Sequence, residues 1–107
     1  MLRILDRCRR EVLEFPEEIR ADLADALARL QEGHVLSMPL SRPMPSIGSG
    51  VHELRFRDRS GVYRVLYYLA GTGMIYVLYA FKKKTRETSW QSLQIAKTRL
   101  RGVLHEA

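Results

Sequence analysis

At 107 residues, 46% hydrophobic and 28% charged, the chain suits one packed domain spanning residues 1–107 and excludes a disordered tail. Its longest apolar run, residues 74–81, has the length of a strand and excludes a membrane-spanning helix, which needs roughly 20 apolar residues. The net charge of +6 is unevenly held: residues 1–50 carry seven arginines against eight acids, whereas residues 51–107 carry eleven basic residues against four acids. A solvated surface alone would mix the signs, so the second half is expected to meet an anionic partner.

Arg3, Asp6, Arg7, Arg9, Arg10 and Glu11 stand close together, leaving no apolar centre for a secretory signal, so a cytoplasmic location is expected. A short strand is predicted at residues 2–5. Asp6 then caps a helix running towards Glu14, with Val12 and Leu13 available for burial. Cys8, the only cysteine, permits no internal disulfide and no cysteine-based zinc set, and reads as a small buried apolar group. His34, His52 and His105 are dispersed, so no metal site is expected from them.

Phe15-Pro16 breaks the first helix. A second begins at Pro16, where the fixed backbone angle suits a helix start and Glu17 and Glu18 meet the positive end of the dipole. Ile19, Leu23, Ala26, Leu27 and Leu30 recur at three- and four-residue steps until Gly33 stops the pattern. The two helices form a hairpin with one face to bury. Residues 34–50, with Pro39, Pro43, Pro45, Gly48 and Gly50, are expected to be a surface connection.

Turn chemistry divides the following stretch into a three-stranded meander. Asp58-Arg59-Ser60-Gly61 separates residues 51–57 from 62–69, and Ala70-Gly71-Thr72-Gly73 separates the latter from 74–81. His52, Leu54 and Phe56 share one face of the first strand; Glu53, Arg55 and Arg57 share the other. The second strand is apolar on both faces apart from Arg64, which predicts a central strand covered by helices. A guanidinium there needs a partner or an exit to water, and its head is expected to emerge beside Arg55 and Arg57. Lys82, Lys83 and Lys84 close the third strand. Residues 88–91 have the form of a capping box. A last helix follows, with Trp90, Leu93, Ala96, Leu100 and Val103 as its apolar stripe, Trp90 as a packing anchor and Gly102 as its end.

GVHELRFRDRSGVYRVLYYLAGTGMIYVLYAFKKKTRETSW, the following IAKTRL helix and the hairpin REVLEFPEEIRADLADALARLQEG together resemble the RelE/ParE toxin superfamily, in its HigB-like, phage-related branch. The ordered set ELRFRD, GVYRVLYY and FKKKT carries the resemblance over most of the chain. It implies an α+β, RelE-like fold, with the helical hairpin packed on a small, mainly antiparallel sheet. It further implies the toxin of a type II toxin–antitoxin pair, a metal-independent endoribonuclease that cleaves messenger RNA on the ribosome. Its partner would be a helix-turn-helix, HigA-like antitoxin, in a toxin–antitoxin hetero-oligomer.

By position in these motifs, Arg64 matches the arginine that stabilises the phosphate, with Arg57 and Lys83 as further catalytic candidates. Arg55, Arg59, Lys82, Lys84 and Arg86 are the RNA-binding candidates. Relatives place a tyrosine or histidine close after the last strand as the acid, whereas KKKTRETSW has neither. Tyr67, Tyr79 and His52 are the remaining proton carriers to weigh, and the acid stays unassigned. Arg64→Ala is expected to abolish toxicity while leaving the fold intact. A ParE-like gyrase poison and a catalytically decayed nucleic-acid or antitoxin-binding module are the alternatives.

Overall fold

The computed structural model describes residues 1–83 and 89–106. Its elements run β1 (Leu2–Ile4), α1 (Asp6–Leu13), α2 (Glu17–Gln31), β2 (Ser41–Pro43), β3 (Val51–Asp58), β4 (Gly61–Leu69), β5 (Ile75–Lys83) and α3 (Trp90–Glu106). The strands form one sheet in the order β1-β5-β4-β3-β2, antiparallel except where β1 runs parallel to β5. The α+β architecture is as expected, and the meander is extended to five strands by one strand at each edge.

Each layer follows from a pattern in the sequence. α2 turns Ile19, Leu23, Ala26, Leu27 and Leu30 to the sheet, where they pack with Cys8 and Phe15 against Leu54, Phe56, Tyr63, Val65 and Tyr67. The chain leaves this helix through Gly33 at φ +89°, a left-handed conformation that a residue without Cβ adopts freely. α3 covers the other face, setting Ala96, Leu100 and Val103 on Val51, Leu66 and Leu78. β4 is therefore central and covered on both sides, as its two apolar faces predict. Among the described residues no helix is long and apolar enough to cross a membrane.

Three expectations are corrected. Residues 34–50 are not merely a surface connection: they contain β2 and bury Leu36, Ser41, Met44 and Ile47. β2 pairs through its backbone with His52, Glu53 and Leu54. Pro43 is tolerated because β2 is an edge strand, where a missing N–H need not interrupt a ladder. Ser41 Oγ lies 2.6 Å from Tyr67 Oη, a buried polar link between β2 and β4. Gly102 does not end α3, which continues to Glu106.

Trp90 is 74% exposed and does not anchor the last helix. The helix is capped at Ser89, whose Oγ accepts the Ser92 N–H at 3.1 Å. Trp90 is consequently the first helical residue. Helical side chains tilt towards the N-terminus, so a large residue at this position projects beyond the packed stripe.

Candidate functional site

The site begins at the turn between β3 and β4. Asp58 Oδ1 accepts hydrogen bonds from the Ser60 N–H at 2.8 Å, the Ser60 hydroxyl at 2.7 Å and the Gly61 N–H at 3.2 Å. The Ser60 side-chain bond, followed by the backbone bonds, lowers the Asp58 pKa. Gly61 takes φ +145°, a value that favours glycine. Asp58 pairs with Gly61, leaving a two-residue loop. This tight closure fixes the register of the whole hairpin.

That register sets Arg55 directly opposite Arg64. Like charges opposite one another repel, and the sheet supplies a counter-charge on the same face. Arg64 donates from Nη1 to Glu53 Oε1 in a short bond. Arg42 of β2, opposite Glu53 in register, donates to the same oxygen from Nε at 3.2 Å. Glu53 is 0% exposed and Arg64 only 3%. Burial of two charges is tolerable because each has a hydrogen-bonded partner of opposite sign.

The buried position of Arg64 corrects the expectation that its head emerges to water beside Arg55 and Arg57. β4 is covered on both faces, so the guanidinium pairs internally with Glu53. Its Nε is buried with no hydrogen-bond partner among the described residues. Burial lowers the Arg64 pKa; Glu53 opposes that effect, and Arg55 and Arg42 reinforce it.

Lys83, the last residue of β5, joins the cluster by register: it lies opposite Val62, two positions along from Arg64 on the same face. Burial lowers its pKa first, followed by the positive charge of Arg64; Glu53 opposes the shift, while Arg42 and Arg55 add to it. A lysine with a depressed pKa can exchange a proton more readily than an ordinary surface lysine. Arg55 is half-buried and Arg57 exposed on the same face of β3. The cluster lies towards the 58–61 turn, beyond the apolar stretch beneath α3. Beside the β3 edge is a cleft of about 420 Å³ lined by Pro39, Leu40, Arg55, Phe56, Arg57 and Val62.

The other candidates are distributed more widely. Arg59 is exposed in the turn. Lys82 alternates onto the opposite face, where Nζ lies 5.7 Å from the Tyr63 ring centroid. Lys84 and Arg86 lie outside the described residues. Among the proton carriers, Tyr67 is buried against Ser41, with its pKa raised chiefly by burial. Tyr79 stacks on Phe81 at 4.8 Å and carries the Arg99 guanidinium over its ring at 4.9 Å. His52 stacks on Tyr67 and lies 3.2 Å, through Nδ1, from the Gly50 carbonyl oxygen.

Glu53 and Arg42 were not among the sequence candidates. The available signal was the β3–β4 turn: once its two-residue loop is recognised, Arg55 meets Arg64 and a neighbouring carboxylate is required on that face. No group of three or more potential metal-ligating residues occurs among the described residues.

A family profile described as "Phage derived protein Gp49-like (DUF891)" matches residues 10–101. A search of the curated proteins found no match. Among solved structures, an arginine-to-alanine double mutant of the E. coli toxin RelE, in the free state, is similar with a TM-score of 0.67 and 19% identity, covering 94% of this chain and 96% of the other. The isolated E. coli RelE toxin gives a TM-score of 0.55 at 18% identity, with 100% and 98% covered. A chain of the intact E. coli RelBE toxin–antitoxin complex gives 0.51 at 17%, with 79% and 98% covered. At such identities these structures establish the likeness of fold, while the family match extends over most of the sequence. The chain therefore belongs to the phage-derived Gp49-like family and has the RelE fold.

Proposed function

We propose that residues 1–107 form a single toxin domain of a type II toxin–antitoxin pair, which cleaves messenger RNA on the ribosome in the cytoplasm. The observation that carries this reading is the convergence of Arg42, Arg55, Arg64 and Lys83 around one buried carboxylate, with Arg57 exposed on the same face. This arrangement leaves surplus positive charge beside a surface that a phosphate backbone can approach.

The reaction is attack of a ribose 2′-hydroxyl on the adjacent phosphate. The O2′–P bond forms and the P–O5′ bond breaks, giving a cyclic phosphate and a free 5′-hydroxyl. One group must take the 2′ proton, another must protonate the leaving oxygen, and cations must stabilise charge on the phosphoryl oxygens. Arg57 and Arg55 are assigned to the phosphate. Arg64 contributes positive potential from beneath, and Lys83 is the candidate for proton transfer. Neither a metal nor a cofactor is required by this scheme. Arg59 extends the RNA-binding surface at the turn, Lys84 and Arg86 are retained as flanking contacts, and Lys82 would reach RNA only around the sheet edge.

A helix-turn-helix, HigA-like antitoxin is the proposed neutralising partner in a hetero-oligomer. Brief induction followed by primer extension on messenger RNA tests the reading. Position-specific cuts in translated transcripts are expected. Intact transcripts accompanied by DNA breaks would replace it with a gyrase poison, and intact RNA and DNA would replace it with a binding module.

A further inference from the structure

We propose that Glu53 is the positioning residue of this site, drawing Arg64 and Arg42 from two strands to one point and fixing the cations around it. Its catalytic consequence rests on the RNA-cleaving function proposed above. The geometric role is independent of that function.

Glu53 has no exposed surface and therefore does not contact RNA in this arrangement. Its carboxylate instead accepts Arg64 from β4 and Arg42 from β2. The other acid within β2 to β5, Asp58, alternates onto the opposite face and caps its own turn. Arg55 faces Arg64 directly across the strand pair. Without Glu53, mutual repulsion would favour separation of these arginines and movement of Arg64 towards water.

Lys83 provides a readout of this organisation. Arg64, Arg42 and Arg55 lower its pKa, whereas Glu53 raises it, with burial as the leading influence. Replacing Glu53 and replacing Arg42 should therefore move Lys83 in opposite directions. A generally loosened structure would relax burial in both variants and would move it the same way.

The test follows Lys83 titration by NMR in the full chain carrying carbon-13-labelled lysine. Glu53→Gln should lower the Lys83 midpoint, while Arg42→Gln, on the edge strand, should raise it. Glu53→Asp retains the charge but shortens the reach. It should accelerate Arg64 guanidinium proton exchange and reduce RNA cleavage by about 10²-fold, the scale of a small misplacement of catalytic groups. If Glu53→Gln fails to fold, the Arg42→Gln titration and the Glu53→Asp exchange measurement decide the matter. Unchanged Arg64 exchange in Glu53→Asp, or midpoints that fail to move oppositely, overturns the positioning role. If the variants show these NMR effects while the wild-type chain cuts no translated RNA, the proposed function is overturned and the positioning role stands.

Discussion

The Arg99–Glu11 and Arg64–Glu53 pairs each join separate elements of this chain, and their charge environments differ. Arg99 of α3 donates from both Nη atoms to the two oxygens of Glu11 in α1, at 2.7 and 2.8 Å, and reaches the Leu78 carbonyl at 2.9 Å. Glu11 Oε1 also accepts the Ala80 N–H at 3.2 Å. Hydrogen bonding to Glu11 raises the Arg99 pKa, with burial opposing it. At Arg64 burial prevails in the downward direction, and the nearby Arg55 and Arg42 reinforce it. The Arg99 pair locks α3 and α1 to β5 with balanced charge, whereas the Arg64 pair retains a cationic surplus. The same two residue types thus complete the fold in one place and polarise its surface in another.

The largest way to break this comparison is Arg64→Ala. Loss of Arg64 removes a hydrogen-bonded cation from a fully buried carboxylate and should cost about 3–5 kcal/mol in urea denaturation. It should also abolish RNA cleavage. The sequence expectation of an intact fold is therefore revised. Arg64→Met combined with Glu53→Leu should recover most of the lost stability without recovering cleavage, because apolar groups can replace a buried ion pair. Recovery of cleavage would remove the role assigned to the charged pair.

Arg99→Gln should cost about 2 kcal/mol, measured in the same way, through loss of charged hydrogen bonds. Cleavage per folded molecule should remain at the wild-type level. A selective fall in that quantity would merge the two regions functionally. Arg57→Ala should show the reverse pattern: a stability change within about 0.5 kcal/mol for an exposed side chain and about 10²-fold slower cleavage. Equal cleavage by wild type and this variant would remove Arg57 from the phosphate-binding set.

The smallest effect sharpens the structural side of the comparison. Cys8 lies beside Glu11 and Arg99, and burial, followed by the charge of Glu11, pushes its thiol up to about 12 from 9.0. The unfolded thiol therefore loses its proton first. Stability from this group is fully present below pH 9.0 and declines as the pH rises towards about 12. Iodoacetamide at mildly alkaline pH should label Cys8 slowly in the folded chain and rapidly in urea. Equal labelling rates would indicate that the contact between α1 and the sheet opens freely.

The fold was legible where local chemistry and periodicity agreed. Pro16 marked the boundary between the helices, the 58–61 and 70–73 turns divided the meander, and the apolar faces of β4 required cover on both sides. β2 was obscured because Ser41-Arg42-Pro43 has little strand propensity and depends on backbone pairing with β3. Missing that strand also hid Arg42. Alternation placed Glu53 and Arg55 together, but their relation to Arg64 required the hairpin register, and the burial of Glu53 required a neighbouring strand on each side. Trp90 belonged to the helical period but preceded the residues that the sheet could cover. Periodicity identified its direction around the axis, not how far the neighbouring layer extended beneath it.

The exposed position of Trp90 also determines how this protein can be observed. It is the only tryptophan and is 74% exposed in the folded chain, so its fluorescence in the native state should already be close to that of an indole in water. Unfolding will change that emission little, and circular dichroism is the better measure of denaturation. The same property gives a low spectral background for association: a molecule that covers the start of α3 should shift the emission to the blue, without any added label.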